Sequence, residues 1–133
     1  MELQVGVKII LQNKEGKYLI LRRTGESDSE VNLFWDFPGG RINPGTSLMV
    51  NLHREVKEET GLNIVGEPTL LAAQDILRPH KHIVRLTYFG EAEGDVKLSK
   101  EHSEFKWTTL EVIKDLEPMD KYFRELLQSK FSI

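Results

Sequence analysis

Residues 38 to 62 read PGGRINPGTSLMVNLHREVKEETGL, and this stretch constrains the fold more than any other part of the chain. The sequence Pro-Gly-Gly at 38–40 is a strong turn signal. Thr46 or Ser47 can then cap a helix, and Gly61 stands where a left-handed residue commonly ends one. The stretch therefore predicts a turn, a short loop and a helix bounded at both ends.

Strand-like patterns surround this helix. They are β-branched or alternating apolar runs at residues 5–11, 17–23, 34–37, 62–66, 69–77, 82–93 and 104–110. The turn residues 13–16 make the first two runs a hairpin, and the polar residues 25–32 are typical of a surface loop. Strands on both sides of a helix predict a mixed sheet covered on its faces, so the fold class is α/β or α+β.

The C-terminal segment predicts a second helix, because its apolar residues recur at helical spacing. These residues are Met119, Phe123, Leu126 and Leu127. Trp107 is predicted to join the core.

Composition limits the class of protein. A chain of 133 residues fits one domain, so we expect residues 1–133 to fold as a single unit. The formal charge of −3 argues against a general grip on a nucleic acid polymer. There is no cysteine and no segment typical of a signal peptide or membrane anchor, which favours the cytoplasm and no membrane partner.

The predicted helix carries Glu55, Glu58 and Glu59 in its last turns, where they repel one another and meet the negative end of the helix dipole. Helical geometry places them beside the apolar face that includes Leu52 and Val56. Lys57 lies on the opposite face. Arg54 can reach Glu58 at i,i+4, but one cation cannot neutralise three carboxylates. A hard divalent ion such as Mg²⁺ or Mn²⁺ could neutralise them. The alternative is an acidic helix face that is simply solvated.

The whole stretch resembles the signature of the Nudix hydrolases. That signature is a glycine, five residues, a glutamate, seven residues, and then Arg-Glu-apolar-x-Glu-Glu-x-Gly-apolar. Gly40 begins it here, and the matching positions are Arg54, Glu55, Val56, Glu58, Glu59, Gly61 and Leu62. Thr46 stands where the family has its first glutamate, which is understood to brace the loop and the arginine.

The resemblance implies a Nudix-type α/β/α sandwich and a Mg²⁺-dependent hydrolase, with Mn²⁺ as a possible substitute. It implies that Glu55, Glu58 and Glu59 bind metal, that the Gly39 carbonyl adds a ligand, and that Glu55 is the general base. Glu58 and Arg54 join it as catalytic residues. Some relatives complete the metal site with a loop glutamate, for which Glu101 is the candidate and Glu104 the alternative.

Substrate-binding candidates lie outside the signature. Arg22 and Arg23 end a strand and could meet phosphates, but alternation allows only one of the two to face the site. Phe34 or Trp35 could stack on a base or belong to the core. Asp120 could read a base edge or cap the last helix. The sequence Pro-His-Lys-His at 79–82 is interpreted as a solvated loop.

These features predict hydrolysis of the pyrophosphate bond of a nucleoside triphosphate or a nucleoside diphosphate derivative, by a monomer or homodimer. The missing glutamate at position 46 supports an alternative, a nucleotide-sensing or interaction module that keeps the fold and has little turnover.

Overall fold

A computed structural model of the chain describes residues 1–24 and 34–133, so the loop predicted at residues 25–32 lies outside the described residues. Seven strands and three helices occur in the described ranges. In chain order they are β1 (Glu2–Gln12), β2 (Tyr18–Arg23), β3 (Trp35–Asp36), β4 (Gly39–Arg41), α1 (Leu48–Thr60), β5 (Asn63–Arg78), β6 (Lys81–Glu93), β7 (His102–Thr108), α2 (Leu110–Lys114) and α3 (Lys121–Phe131).

The strands form one mixed sheet. Its main path runs β3-β2-β1-β6-β5, with β4 paired to β1 and β7 paired to β2. β1 and β6 are parallel over their whole length, from Glu2 opposite Lys81 to Gln12 opposite Glu91, and the other pairs are antiparallel. This pairing confirms the predicted mixed sheet.

Two apolar cores lie on opposite faces of the sheet, because alternate residues of a strand point to opposite faces. On β1, Val7 and Ile9 pack with Leu52 and Val56 of α1. Ile10, which follows Ile9 and points to the other face, belongs to the second core with α2 and α3. That core also contains the four predicted tail residues Met119, Phe123, Leu126 and Leu127. The sheet is therefore sandwiched between helices, as predicted, and Trp107 packs at the margin of the first core.

Several local predictions were wrong in detail. The strand predicted at 34–37 is only Trp35–Asp36, since the Pro-Gly-Gly turn follows at once and starts a new strand, Gly39–Arg41. The runs at 62–66 and 69–77 form one continuous strand, because irregular pairing with β6 absorbs the residues between them. The five-residue α2 was not predicted.

None of the helices in residues 1–24 and 34–133 has the length and apolar character needed to cross a membrane.

Ser47, rather than Thr46, caps α1. Its side chain accepts a hydrogen bond from the Val50 N–H at 3.2 Å, and Gly61 ends the helix with φ of 74°. We expect Ser47→Ala to lower the free energy of unfolding by about 1 kcal/mol, because an orphan helix N–H loses its partner. Thr46→Ala should change it by less than about 0.5 kcal/mol. Urea unfolding of both variants measures the difference, and a larger loss in Thr46→Ala would contradict this assignment.

Candidate active site

The Pro-Gly-Gly turn lies directly against the acidic end of α1, and two glycines make this approach possible. Gly39 has φ of 139°, and a Cβ there would fall 2.0 Å from the Val7 carbonyl oxygen. A Cβ on Gly40 would fall 2.8 Å from the Glu55 carboxylate. Only glycine allows the backbone to come this close to both groups. The turn therefore presents its peptide groups to the glutamates of the helix.

The turn and the helix form one side of a cleft of about 490 Å³. It brings together Arg23, Gly39, Glu55, Glu58, Glu59 and Glu101, all predicted site residues. The remaining lining residues are Lys8, Gly40, Arg41, Ser99 and Lys100.

Glu59 is the most buried carboxylate of the cleft, with only 5% of its surface exposed. Its Oε1 accepts a hydrogen bond of 3.0 Å from the Gly39 N–H. Burial raises the pKa of Glu59 to about 8, and the charges of Asp36 and Glu55 add to this, while Lys8 and the Gly39 N–H oppose it. A further positive charge in the cleft would favour the ionised carboxylate.

Glu55 and Glu58 share one cation, Arg54. Its Nη1 lies 3.2 Å from Glu55 Oε1 and 3.4 Å from Glu58 Oε2, so the predicted i,i+4 contact is present. The Glu55 side chain is 15% exposed, whereas that of Glu58 is 60% exposed. Lys57 faces away from this group, as predicted, and donates to the Gly61 carbonyl and to Asn63. Glu58 is thus the more exposed of these two carboxylates.

Lys8 supplies a second cation from the floor of the cleft. Its Nζ donates to Asp36 Oδ2 at 2.9 Å, to the Phe37 carbonyl at 3.2 Å and to the Gly39 carbonyl at 3.3 Å. The carbonyl that the family resemblance assigns to metal binding therefore faces an ammonium group here. Lys8 was missed at the sequence level, although a lone lysine in the apolar run VGVKIIL was a signal.

Basic residues also line the cleft, among them Arg23, Arg41 and Lys100. Arg41, next to the glycine turn, donates from Nε to Gln4 Oε1 at 2.7 Å. Burial lowers the pKa of Arg41, and the positive charges of Arg78, Arg85 and Arg23 lower it further. This excess of positive charge favours an anion beside Arg41. Arg41 and Lys100 were not predicted, because only the folded chain brings them beside Arg23.

The two adjacent arginines of β2 separate, as alternation required. Arg23 lines the cleft, and its guanidinium lies 5.7 Å from the Phe34 ring centroid. Arg22 instead stacks on Trp35 at 5.4 Å and lies 3.7 Å from Glu104. Trp35 is 3% exposed and packs in the second core. Arg22, Trp35 and Glu104 are not among the described residues that line the cleft.

Asp120 caps α3 and pairs with a buried arginine. Its Oδ1 accepts from the Tyr122 and Phe123 N–H groups at 2.7 and 3.2 Å, and its Oδ2 accepts from Arg85 Nη1 at 2.7 Å. Burial opposes ionisation of Asp120, but these donors outweigh it and lower the pKa of the carboxyl group. The cap that the sequence offered as one alternative is present, and both carboxylate oxygens have partners.

Glu101 lies on the loop before β7 and lines the cleft. The next residue, His102, is buried, and burial lowers its pKa to about 4, so the imidazole is neutral near pH 7. At the distant hairpin tip, His82 Nε2 lies 2.8 Å from Asp75 Oδ1. That pair is outside the residues that line the cleft, and the loop predicted at 79–82 is shorter than expected because Lys81 and His82 belong to β6.

The donors of the cleft suit a hard divalent cation. Its candidate ligands are carboxylate and carbonyl oxygens, which Mg²⁺ and Mn²⁺ prefer. Within residues 1–24 and 34–133, no three acidic or histidine side chains already enclose a metal position. The donors have other partners: Arg54 contacts Glu55 and Glu58, Lys8 donates to the Gly39 carbonyl, and the Gly39 N–H donates to Glu59. The residues fit a metal by their chemistry, and its binding would exchange some of these contacts.

A family model described as NUDIX domain matches residues 2–129, so the chain belongs to the Nudix hydrolase superfamily. The resemblance drawn from the signature is confirmed over nearly the whole length.

Individual relatives agree with this assignment. A solved structure of a MutT protein from Methanosarcina mazei Go1 superposes with a TM-score of 0.87 at 33% identity, covering 98% of this chain and 94% of that one. An RNA pyrophosphohydrolase of Pelagibacter ubique is 28% identical over 87% of this chain and 82% of its own length. Another, from Erwinia tasmaniensis, is 38% identical over 72 residues, which span 54% of this chain but only 38% of that protein. The α+β Nudix fold is thus confirmed.

Proposed function

We propose that the chain is a Mg²⁺-dependent hydrolase that cleaves the pyrophosphate bond of a nucleoside triphosphate or a nucleoside diphosphate derivative. The observation that carries the proposal is the polarity of the cleft. The cleft is lined by carboxylates, those of Glu55, Glu58, Glu59 and Glu101, together with the cations Lys8, Arg23, Arg41 and Lys100. A pyrophosphate would be repelled by the glutamates and attracted by the basic residues, so a cation between glutamates and phosphates completes the charge balance.

Mg²⁺, or Mn²⁺ in its place, would be held by Glu55, Glu58 and Glu59, with Glu101 and the Gly39 carbonyl as additional ligands. When bound, it lowers the pKa of a water molecule and stabilises negative charge on the leaving phosphate. Glu59 links the proposed metal ligands of α1 to the segment Pro38-Gly39-Gly40, because its carboxylate accepts a hydrogen bond from the Gly39 N–H.

The other roles belong to side chains of the chain itself. Glu55, held between Gly40 and Arg54, is the proposed general base that accepts the proton of the attacking water. Arg54 contacts both Glu55 and Glu58 and orients their carboxylates. Arg23, which lines the cleft, is the proposed phosphate contact, and Arg41 and Lys100 extend it. Arg22, Trp35 and Asp120 are further proposed substrate contacts, although their described partners are protein groups.

We further propose that residues 1–133 act as one domain, as a monomer or homodimer in the cytoplasm. The similarity to MutT proteins and the basic residues of the cleft support a small nucleotide substrate. Two relatives are named RNA pyrophosphohydrolase, so RNA with a 5′ triphosphate is a second substrate to test beside small nucleotides.

A substrate panel tests the proposal. Release of phosphate and pyrophosphate is measured with nucleoside triphosphates, nucleoside diphosphate derivatives and 5′-triphosphorylated RNA, in Mg²⁺, Mn²⁺ or EDTA. We expect metal-dependent turnover of at least one small nucleotide. Tight nucleotide binding without turnover of any substrate would instead support a sensing module, the alternative that Thr46 motivates.

Metal binding should also be visible without substrate. We expect millimolar Mg²⁺ to raise the melting temperature by roughly 4 to 8 °C more than NaCl at matched ionic strength, since binding to the native cleft stabilises by mass action. Screening alone acts equally for both salts. Glu58→Gln should reduce the difference, and Glu125→Gln on the exposed face of α3 should not. Equal shifts in both salts would argue against the metal site.

A further inference from the structure

Asn51 is a fully buried polar residue of α1 that joins the loop before the helix to the catalytic arginine. Its surface is 0% exposed. Its Oδ1 accepts hydrogen bonds of 3.0 Å from the Asn43 N–H and of 3.0 Å from Arg54 Nη2. Its Nδ2 donates to the carbonyls of Thr46 at 3.0 Å and Ser47 at 2.7 Å.

These four contacts saturate the side-chain amide and fix its orientation. Two donors face Oδ1 and two carbonyls face Nδ2, so an amide flipped by 180° would lose all four bonds. A carboxylate could accept from Asn43 and Arg54 but could not donate to the loop carbonyls. Alanine could do neither. The position therefore selects asparagine by hydrogen bonding and not by packing alone.

The contacts continue from Asn51 into the cleft. Arg54 uses Nη2 for Asn51 and Nη1 for Glu55 and Glu58. A shift of Asn51 would consequently free the guanidinium that orients both carboxylates. The same shift would release residues 43–47, which follow the glycine turn.

The family resemblance assigns the bracing of this loop and of Arg54 to a glutamate at position 46. Thr46 cannot supply a carboxylate, and its described hydrogen bonds are made by its backbone, to Asn43 and Asn51. We propose that Asn51 is a positioning residue that performs this bracing from inside α1. The family's glutamate would stand at position 46, before the helix begins. The inference rests on the proposed metal-dependent hydrolysis and explains how the chain works without the signature's first glutamate.

The first test is Asn51→Ala. We expect kcat to fall about 10- to 100-fold, as for other groups that orient metal ligands, while KM changes far less. The Mg²⁺ concentration for half-maximal rate should rise. Ser47→Ala is the matched control, since it weakens the same end of α1 through the cap without touching Arg54. Equal kcat losses in both variants would overturn the proposal.

Two double variants separate positioning from stability. Thr46→Glu in the Asn51→Ala background restores a carboxylate at the family position and should recover most of the lost kcat. Asn51→Ala added to Arg54→Ala should cause little further loss, because the residue acts through Arg54. Failure of the rescue together with additive losses would overturn the proposal. Asn51→Asp keeps both acceptor contacts, so it should lose less kcat than Asn51→Ala.

A measurement on the metal-free protein is independent of turnover. Hydrogen exchange of the Asn43 amide should accelerate at least tenfold in Asn51→Ala and stay near wild type in Ser47→Ala. If the wild-type chain hydrolyses no substrate of the panel, the proposed function fails. The exchange rate of the Asn43 amide still tests whether Asn51 holds the loop before α1. If exchange of the Asn43 amide is unchanged, the bracing fails even where turnover is observed.

Discussion

Glu58→Gln is expected to lower kcat by about 100-fold or more without loss of thermal stability. The side chain is 60% exposed, and its described contact is a 3.4 Å approach to Arg54, so its removal disturbs little packing. Removing one of several clustered carboxylates also relieves repulsion at the negative end of the helix dipole. The amide is nearly isosteric but lacks the charge that a hard cation requires.

The measurement is steady-state kinetics over a range of Mg²⁺ concentrations, beside thermal unfolding. Glu125→Gln is the control, because it changes an exposed helix glutamate on α3 in the same way. Turnover near that of the wild type at saturating Mg²⁺ would show that Glu58 is not an essential ligand. If the melting temperature of Glu58→Gln falls together with its kcat, the result would instead indicate a structural role for Glu58.

The second large effect concerns Asp120 and stability. We expect Asp120→Ala to lower the free energy of unfolding by about 3 to 5 kcal/mol near pH 7, because it leaves the buried Arg85 guanidinium without its partner. The loss of the α3 cap acts in the same direction. Arg85 also lies 3.8 Å from the Phe123 ring centroid, so it cannot move to solvent without disturbing the second core.

The same pair predicts a pH dependence. The pKa of Asp120 is lower in the folded chain than in the unfolded chain, where it is about 3.9. The stabilisation is therefore complete above about pH 5 and is lost as the pH falls through the unfolded and then the folded pKa.

Unfolding by urea between pH 3 and pH 7 checks both statements. Asp120→Asn, which keeps a capping side chain but cannot ionise, should show a shallower loss of stability on acidification than the wild type. Asp95→Ala, at an exposed position, is the control and should change little. A loss below about 1 kcal/mol in Asp120→Ala at pH 7 would mean that Arg85 finds other partners.

Much of α1 was predictable from its own residues. The cap, the terminating glycine and the spacing of Leu52 and Val56 act within one segment, so no tertiary information was needed to place α1 or its glutamates. The same holds for the buried positions of α3. The two candidates for the cap could not be separated, because Thr46 and Ser47 have similar side chains and only the backbone path decides which one reaches the Val50 N–H.

The cationic lining of the cleft was decided by tertiary structure alone. Lys8 reaches the Gly39 carbonyl because β1 pairs with β4, and the segment after Arg23 meets the loop that carries Lys100, since the Thr24 N–H donates to the Glu101 carbonyl. Sequence spacing carries no record of such pairings. Asn51 shows the same limit: its four partners include a loop carbonyl and an amide N–H that become neighbours only when the chain closes on the helix. The sequence by itself determined which carboxylates α1 presents. The sheet register and the loop closure determined which cations and amides lie near those carboxylates, because these contacts join segments that are distant in the sequence and local propensity does not specify them.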